Sequence, residues 1–154
     1  MRKRYLYGSI LSIIGIIDAG YLTIEHFSGK VPQCIEGSIL AECGKVLTSQ
    51  YSQIGGIPVA LLGLLYYAFL LALSIIAFKR PHNARYGHLL RLVNLAGVAA
   101  SAYFVYLQLA VLNAICIYCM TSAVDTFILC GVLNVRRLKK SQSLAVEPAY
   151  ETAV

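Results

Sequence analysis

Cys116-Ile117-Tyr118-Cys119 sets two thiols three residues apart inside an apolar run, a spacing that suits reversible disulfide chemistry. From Leu92 to Val135 the one formal charge is Asp125. As a single helix rising ~1.5 Å per residue, this run would be about 66 Å long, roughly twice the hydrocarbon core of a bilayer. It must cross, turn and cross back. Asn113-Ala114 is the best turn near its midpoint, since Asn accepts the left-handed and turn conformations that a reversal needs. The dithiol then falls on the first turn of the returning helix, at the membrane surface. There the two cysteines share a helix face, close enough to bridge, and the unpaired N–H groups of the helix start favour a reactive thiolate.

Composition defines the elements that must position this pair. Hydrophobic residues make up 58% of the chain and charged residues 13%, with a mean hydropathy of +0.70. A soluble domain of this size carries more charge and a more interrupted pattern. Four stretches are long enough to span, at about 5–26, 57–78, 92–112 and 114–135. They lack strand alternation, and only helices or closed barrels satisfy their backbone in lipid. The fold expected over 1–140 is therefore all-α and integral to the membrane. It is a four-helix transmembrane bundle, with a short interfacial lid helix in the outer loop 27–56 and an unstructured cytoplasmic tail at 141–154. A cleaved secretory leader is the competing reading of residues 1–20. Asp18 is a poor neighbour for a cleavage site, and removing the segment would leave an odd number of spans.

Basic residues set the orientation. Arg2, Lys3 and Arg4 precede the first span, Lys79, Arg80, Arg85 and Arg91 flank the Pro81 connection, and Arg136, Arg137, Lys139 and Lys140 follow the fourth. Only Lys30 and Lys45 fall on the other side. By the positive-inside rule both termini are cytoplasmic in a multi-pass cell-membrane protein, and the active side is extracytoplasmic. The net charge of +6 is then topology. Cations spread over three membrane-flanking clusters give no support to nucleic-acid binding.

Two acids lie within spans, Asp18 in the first and Asp125 in the fourth. A carboxyl there is costly and faces the bundle interior, either as an interhelical hydrogen-bond anchor or as a proton-handling group near a redox site. Cys130, three turns beyond Cys119, reads as a small buried apolar residue. In the outer loop, Leu47, Tyr51 and Ile54 recur at i, i+4 and i+7, an amphipathic helix that can lie in the interface over the bundle. Gly55-Gly56 releases the chain from it, and Pro58 suits the first turn of the second span.

The same loop holds Cys34 and Cys43, which the topology puts on the same side as Cys116 and Cys119, in the compartment where disulfides persist. A pair in a loop and a pair on a rigid helix start make a chemically sensible relay. The loop pair reaches an exposed protein dithiol and returns to the fixed pair. Electrons must then leave, and at the hydrocarbon edge a lipid-soluble quinone of the ubiquinone or menaquinone type suits the site. The alternatives are a non-enzymatic scaffold stapled by two static disulfides, or a four-thiolate zinc site, for which the first pair's spacing is long. No metal site is expected.

The block Cys43-Gly44-Lys45-Val46-Leu47-Thr48-Ser49, followed by Gly56-Ile57-Pro58 and Leu61-Leu62-Gly63-Leu64, resembles the vitamin K epoxide reductase family in its prokaryotic form. Cys34 before it and the Cys116–Cys119 motif after it are similar too, and the likeness runs from about Ser9 to Val135. The resemblance implies a four-helix bundle around a quinone with the lid helix above, and a thioredoxin-fold partner oxidised by Cys34 and Cys43. It implies a transient bridge from Cys43 to Cys116, while Cys119 faces the quinone and passes it electrons. Ser49 matches a polar family position. Two positions depart from the animal members. Ala123 stands where they carry a Tyr, and Ser52 falls approximately where an Asn binds the quinone headgroup. Both departures favour simple quinone reduction over epoxide reduction. No thioredoxin-like stretch accompanies these residues, so the partner is expected to be a separate protein.

Overall fold

In lipid every backbone N–H must find its carbonyl within the same segment, so the apolar runs fold as helices. The protein, a computed structural model, is described over residues 2–29, 43–80 and 84–151. Its helices are α1 (Arg2–Phe27), the short α2 (Cys43–Leu47), α3 (Val59–Lys79), α4 (Ala84–Tyr106) and α5 (Ile117–Glu151). All but α2 are long and apolar enough to cross a membrane, and the protein is a multi-pass membrane protein. Large apolar side chains such as Ile17, Ile24, Leu65 and Leu92 point outward, each at least 60% exposed, as a lipid-facing surface requires.

Two boundaries differ from those expected. α4 begins at Ala84 rather than near 92, because Arg85 and Arg91 interrupt the apolar pattern without interrupting backbone hydrogen bonding. The backbone of α5 continues to Glu151, through most of the stretch expected to be unstructured. Once a helix is nucleated each added residue costs little, although Pro148 supplies no N–H to this last stretch. Within α5, Ile117–Asn134 is long and apolar enough to span.

α1 packs on α3 and α5, and α4 packs on the same two neighbours, so the bundle runs α1, α3, α4, α5 around a ring. Its two halves differ. Toward the N-terminus of α1 the centre is filled by Tyr5, Leu70, Leu73, Ala77, Leu90, Leu129 and Leu133. The close approach of α1 to α3 depends on Gly15, where a Cβ would run into the Tyr67 ring. Tyr67 is 1% exposed, and its hydroxyl lies 2.8 Å from the Ser122 carbonyl and 2.9 Å from Thr126 Oγ1, tying α3 to α5. Beyond Tyr67 the centre is hollow.

The segment that covers the hollow half departs from the single amphipathic helix expected over 44–54. α2 stops at Leu47, a 3-10 turn follows at Gln50–Ser52, and strand β1 (Gln53–Ile54) pairs antiparallel with β2 (Ile57–Pro58). The physical cause lies in its hydroxyls. Thr48 Oγ1 donates to the Gly44 carbonyl at 2.8 Å, Ser49 Oγ to Val46 at 2.7 Å and Ser52 Oγ to Ser49 at 2.7 Å, competing with helical propagation. Gly55 and Gly56, at φ +60 and +83, form the hairpin turn that only residues tolerant of positive φ adopt readily. The hairpin is tied to the end of α1 by Gln53 Nε2, which donates to His26 Nε2 at 3.3 Å.

Candidate active site

The reversal between α4 and α5 is built in three steps. After Tyr106 the helix loosens to a π-helical turn, Leu107–Val111, in which Leu112 N–H reaches back to the Leu107 carbonyl at 2.8 Å. Asn113 then takes φ +46, the left-handed conformation that ends the helix. Ala114 N–H donates to the Gln108 carbonyl at 3.0 Å, and Cys116 N–H donates to the Gln108 side-chain Oε1 at 2.8 Å. One buried residue, Gln108, therefore holds the turn through both its main chain and its side chain. π-helical turns re-aim side chains and occur often at functional sites.

Cys116 occupies the N-cap of α5. Its carbonyl accepts from Met120 N–H at 2.9 Å, and its Sγ accepts from Cys119 N–H at 3.4 Å, the position that a Ser or Asp oxygen usually fills. The Cys119 thiol, together with the N–H groups of Cys119 and Tyr118, holds the Cys116 thiol below its ordinary pKa, against the opposing effects of burial and the Asp18 charge. Cys116 and Cys119 are free thiols, and Cys43 is disulfide-bonded. Tyr118, between the two thiols, stacks on Tyr21 of α1 with ring centroids 5.2 Å apart, which docks the helix start on its neighbour.

Gln108→Leu is expected to leave the Cys116 N–H buried and unpaired, costing about 1–3 kcal/mol of stability. The loosened N-cap should also move the midpoint of Cys116 alkylation against pH upward, since a cap that no longer holds its sulfur stabilises the thiolate less. Alkylation followed by mass spectrometry reads this directly. An unchanged midpoint would show that Gln108 does not set the cap.

The hollow half of the bundle is a cavity of about 530 Å³, within the range that holds a cofactor-sized molecule. All four spans and the covering hairpin contribute to its wall. Leu47, Tyr51 and Ile54, the stripe read from the sequence, line it together although they lie on three different local structures. Most of the wall is apolar. Its polar contributors include Asp18, Ser49, Ser52, Ser101, Gln108 and Ser122.

The residues singled out in the sequence are distributed unevenly around this cavity. Cys119, Ser52 and Ala123 all line it. Cys116 is fully buried behind Cys119, and Cys43 is 1% exposed at the start of α2. Neither lines the wall. Cys34 lies outside the described residues. Cys130 is half-buried, and Asn134 Nδ2 donates to its sulfur at 3.4 Å. Three contributors were not legible as such in the sequence. Gln108, Tyr67 and His26 carry no motif that sets them apart from the other polar residues of the spans. A glutamine followed by a turn Asn and a Cys-x-x-Cys is the signal that could have marked the first.

The comparisons accord with this arrangement. The model of the vitamin K epoxide reductase family matches residues 7–133, from the first span to the fourth. A curated relative, thiol-disulfide oxidoreductase LTO1 of Arabidopsis thaliana, is 32% identical over 123 residues, covering 73% of this chain. The chain spans 31% of that relative's length. With the match extending over the capped dithiol, the cavity and the hairpin that covers it, the chain belongs to the vitamin K epoxide reductase family.

Proposed function

We propose that the protein is a membrane thiol–disulfide oxidoreductase that oxidises thioredoxin-fold partners on the extracytoplasmic side and delivers their electrons to a membrane quinone. The observation that carries this reading is the position of Cys119. Among the described residues it is the cysteine in the cavity wall, and it is also one half of the helix-start dithiol. The cavity's apolar wall suits a quinone ring, and Ser52 and Gln108 supply the few polar groups that would orient its oxygens.

The chain's own residues then divide the work. The Cys34–Cys43 pair accepts electrons from the partner's dithiol by exchange. A Cys43 thiolate attacks Cys116 of the oxidised inner pair, and Cys119 leaves as a thiolate facing the cavity, where it takes up the proton that Cys43 gave up. Cys34 then attacks Cys43 to re-form the loop disulfide, and the N-cap, which favours Cys116 as a thiolate, makes it a good leaving group in that step. A bound quinone would supply the two-electron sink. The distribution of basic residues supports an extracytoplasmic site with both termini in the cytoplasm.

The test is a single turnover without oxygen. Purified protein, reduced and freed of reductant, is mixed with a short-chain ubiquinone or menaquinone. One hydroquinone per disulfide formed is expected, counting both the Cys34–Cys43 and the Cys116–Cys119 pairs. Exchange with a thioredoxin-fold protein and no hydroquinone from either quinone would overturn the quinone half of the reading.

A further inference from the structure

We propose that the Asp18 carboxyl carries the proton between the Cys119 thiol and the electron acceptor in the cavity. The inference rests on the quinone reading above and adds to it a proton path made by this chain.

Asp18 lies nine residues before the end of α1, about 13 Å along the helix axis from Phe27. A carboxyl at that depth requires a reason. The other polar side chains nearby on α1 are satisfied by their own backbone. Ser12 Oγ donates to the Gly8 carbonyl at 2.8 Å, and Thr23 Oγ1 donates to Ala19 at 2.6 Å. Asp18 differs: its Oδ2 is buried and has no hydrogen-bond partner among the described residues, a state that Asp125 Oδ2 shares, but of the two acids Asp18 alone lines the cavity. An interhelical anchor would be hydrogen-bonded, so the anchor role read as one alternative from the sequence does not account for this oxygen. Asp18 also lines the same cavity as Cys119. Cys116, Cys119, Tyr67 of α3 and Asp125 of α5 are near enough to feel its charge, and His26 of its own helix lines the cavity too.

Oxidising two thiols while reducing a quinone moves two electrons and two protons. The electrons leave the sulfurs as the Cys116–Cys119 bond forms, and the ring's two carbonyls become hydroxyls. Asp18 gives its proton to the nearer ring oxygen and takes the Cys119 proton in its place, ending as it began. The Cys116 proton has already passed to water, and the second ring oxygen takes one from water. Without a carboxyl in the wall, the thiol proton would have to pass along His26, hydroxyls and an amide spread over a mostly apolar surface.

The experiment compares wild type with Asp18→Asn, Asp18→Glu and Asp125→Asn in lipid nanodiscs. Asp125 is a buried acid of the same bundle that does not line the cavity. Reduction of a short-chain quinone by the reduced protein should slow about 10²-fold or more in Asp18→Asn. Asp18→Glu should restore much of the rate, and Asp125→Asn should keep it. The second readout needs no quinone. Infrared difference spectra between the reduced and oxidised dithiol, poised with dithiothreitol, should contain a carboxyl band that Asp18→Asn removes and Asp125→Asn retains. Equal quinone reduction by wild type and Asp18→Asn would overturn the proton path alone. So would a difference spectrum that Asp18→Asn leaves unchanged, or a rate loss that Asp18→Glu fails to repair. A wild type that exchanges thiols and reduces no quinone would overturn the quinone reading and this inference with it.

Discussion

Cys119→Ala is expected to lower quinone reduction by at least about 10³-fold, the scale on which removal of a nucleophile acts. Cys116 is fully buried and does not line the cavity, so it cannot substitute for a sulfur that does. The variant should also change what accumulates. Without Cys119 no inner disulfide exists for Cys43 to attack, so a Cys43–Cys116 bond can form only by attack of Cys116 on the Cys34–Cys43 disulfide, and with no Cys119 thiol to release Cys43 non-reducing peptide mapping should find it. The N-cap should survive, because the groups that build it are the Cys116 sulfur and the Cys119 backbone N–H, which alanine keeps. Resistance of Cys116 to alkylation then reports that the helix start is intact, since there its sulfur is fully buried. Wild-type turnover in this variant would rule the mechanism out.

The second large effect separates two reductants. Cys34→Ala should reduce turnover with a thioredoxin-fold dithiol by about 10²-fold or more, yet leave turnover with a small dithiol within a few-fold. A protein dithiol cannot enter the bundle, whereas a small thiol fits a cavity of this size, in whose wall Cys119 is half-buried. Stopped-flow measurement with both reductants on the same preparation decides it. Equal losses with the two would show that the loop pair is not a shuttle.

Helix types and spans were legible because lipid leaves the backbone few solutions. An apolar run of about 20 residues has to be helical, and one twice as long has to reverse. Asn113 was legible for a similar reason: few residues tolerate positive φ, and it is the one at the midpoint. The lid was read less well. Its stripe of Leu47, Tyr51 and Ile54 reaches the cavity as the pattern implied, but through a helix, a 3-10 turn and a hairpin rather than one helix. A hydrophobic period records which side chains must be buried together. It does not record whether Thr48, Ser49 and Ser52 will take backbone carbonyls for themselves.

The sequence by itself determined the membrane bundle, the place of the reversal and the cysteines at its start, because each depends on local chemistry and on counting residues against a bilayer. Only the tertiary structure decided that Gln108 holds the Cys116 N–H, that Cys119 and not Cys116 lines the cavity, and that Asp18 offers an unpartnered oxygen within its wall. Those facts turn on how helices far apart in the chain are rotated against one another. That rotation is set by packing, such as Tyr67 seated against Gly15, and a one-dimensional pattern carries it only weakly.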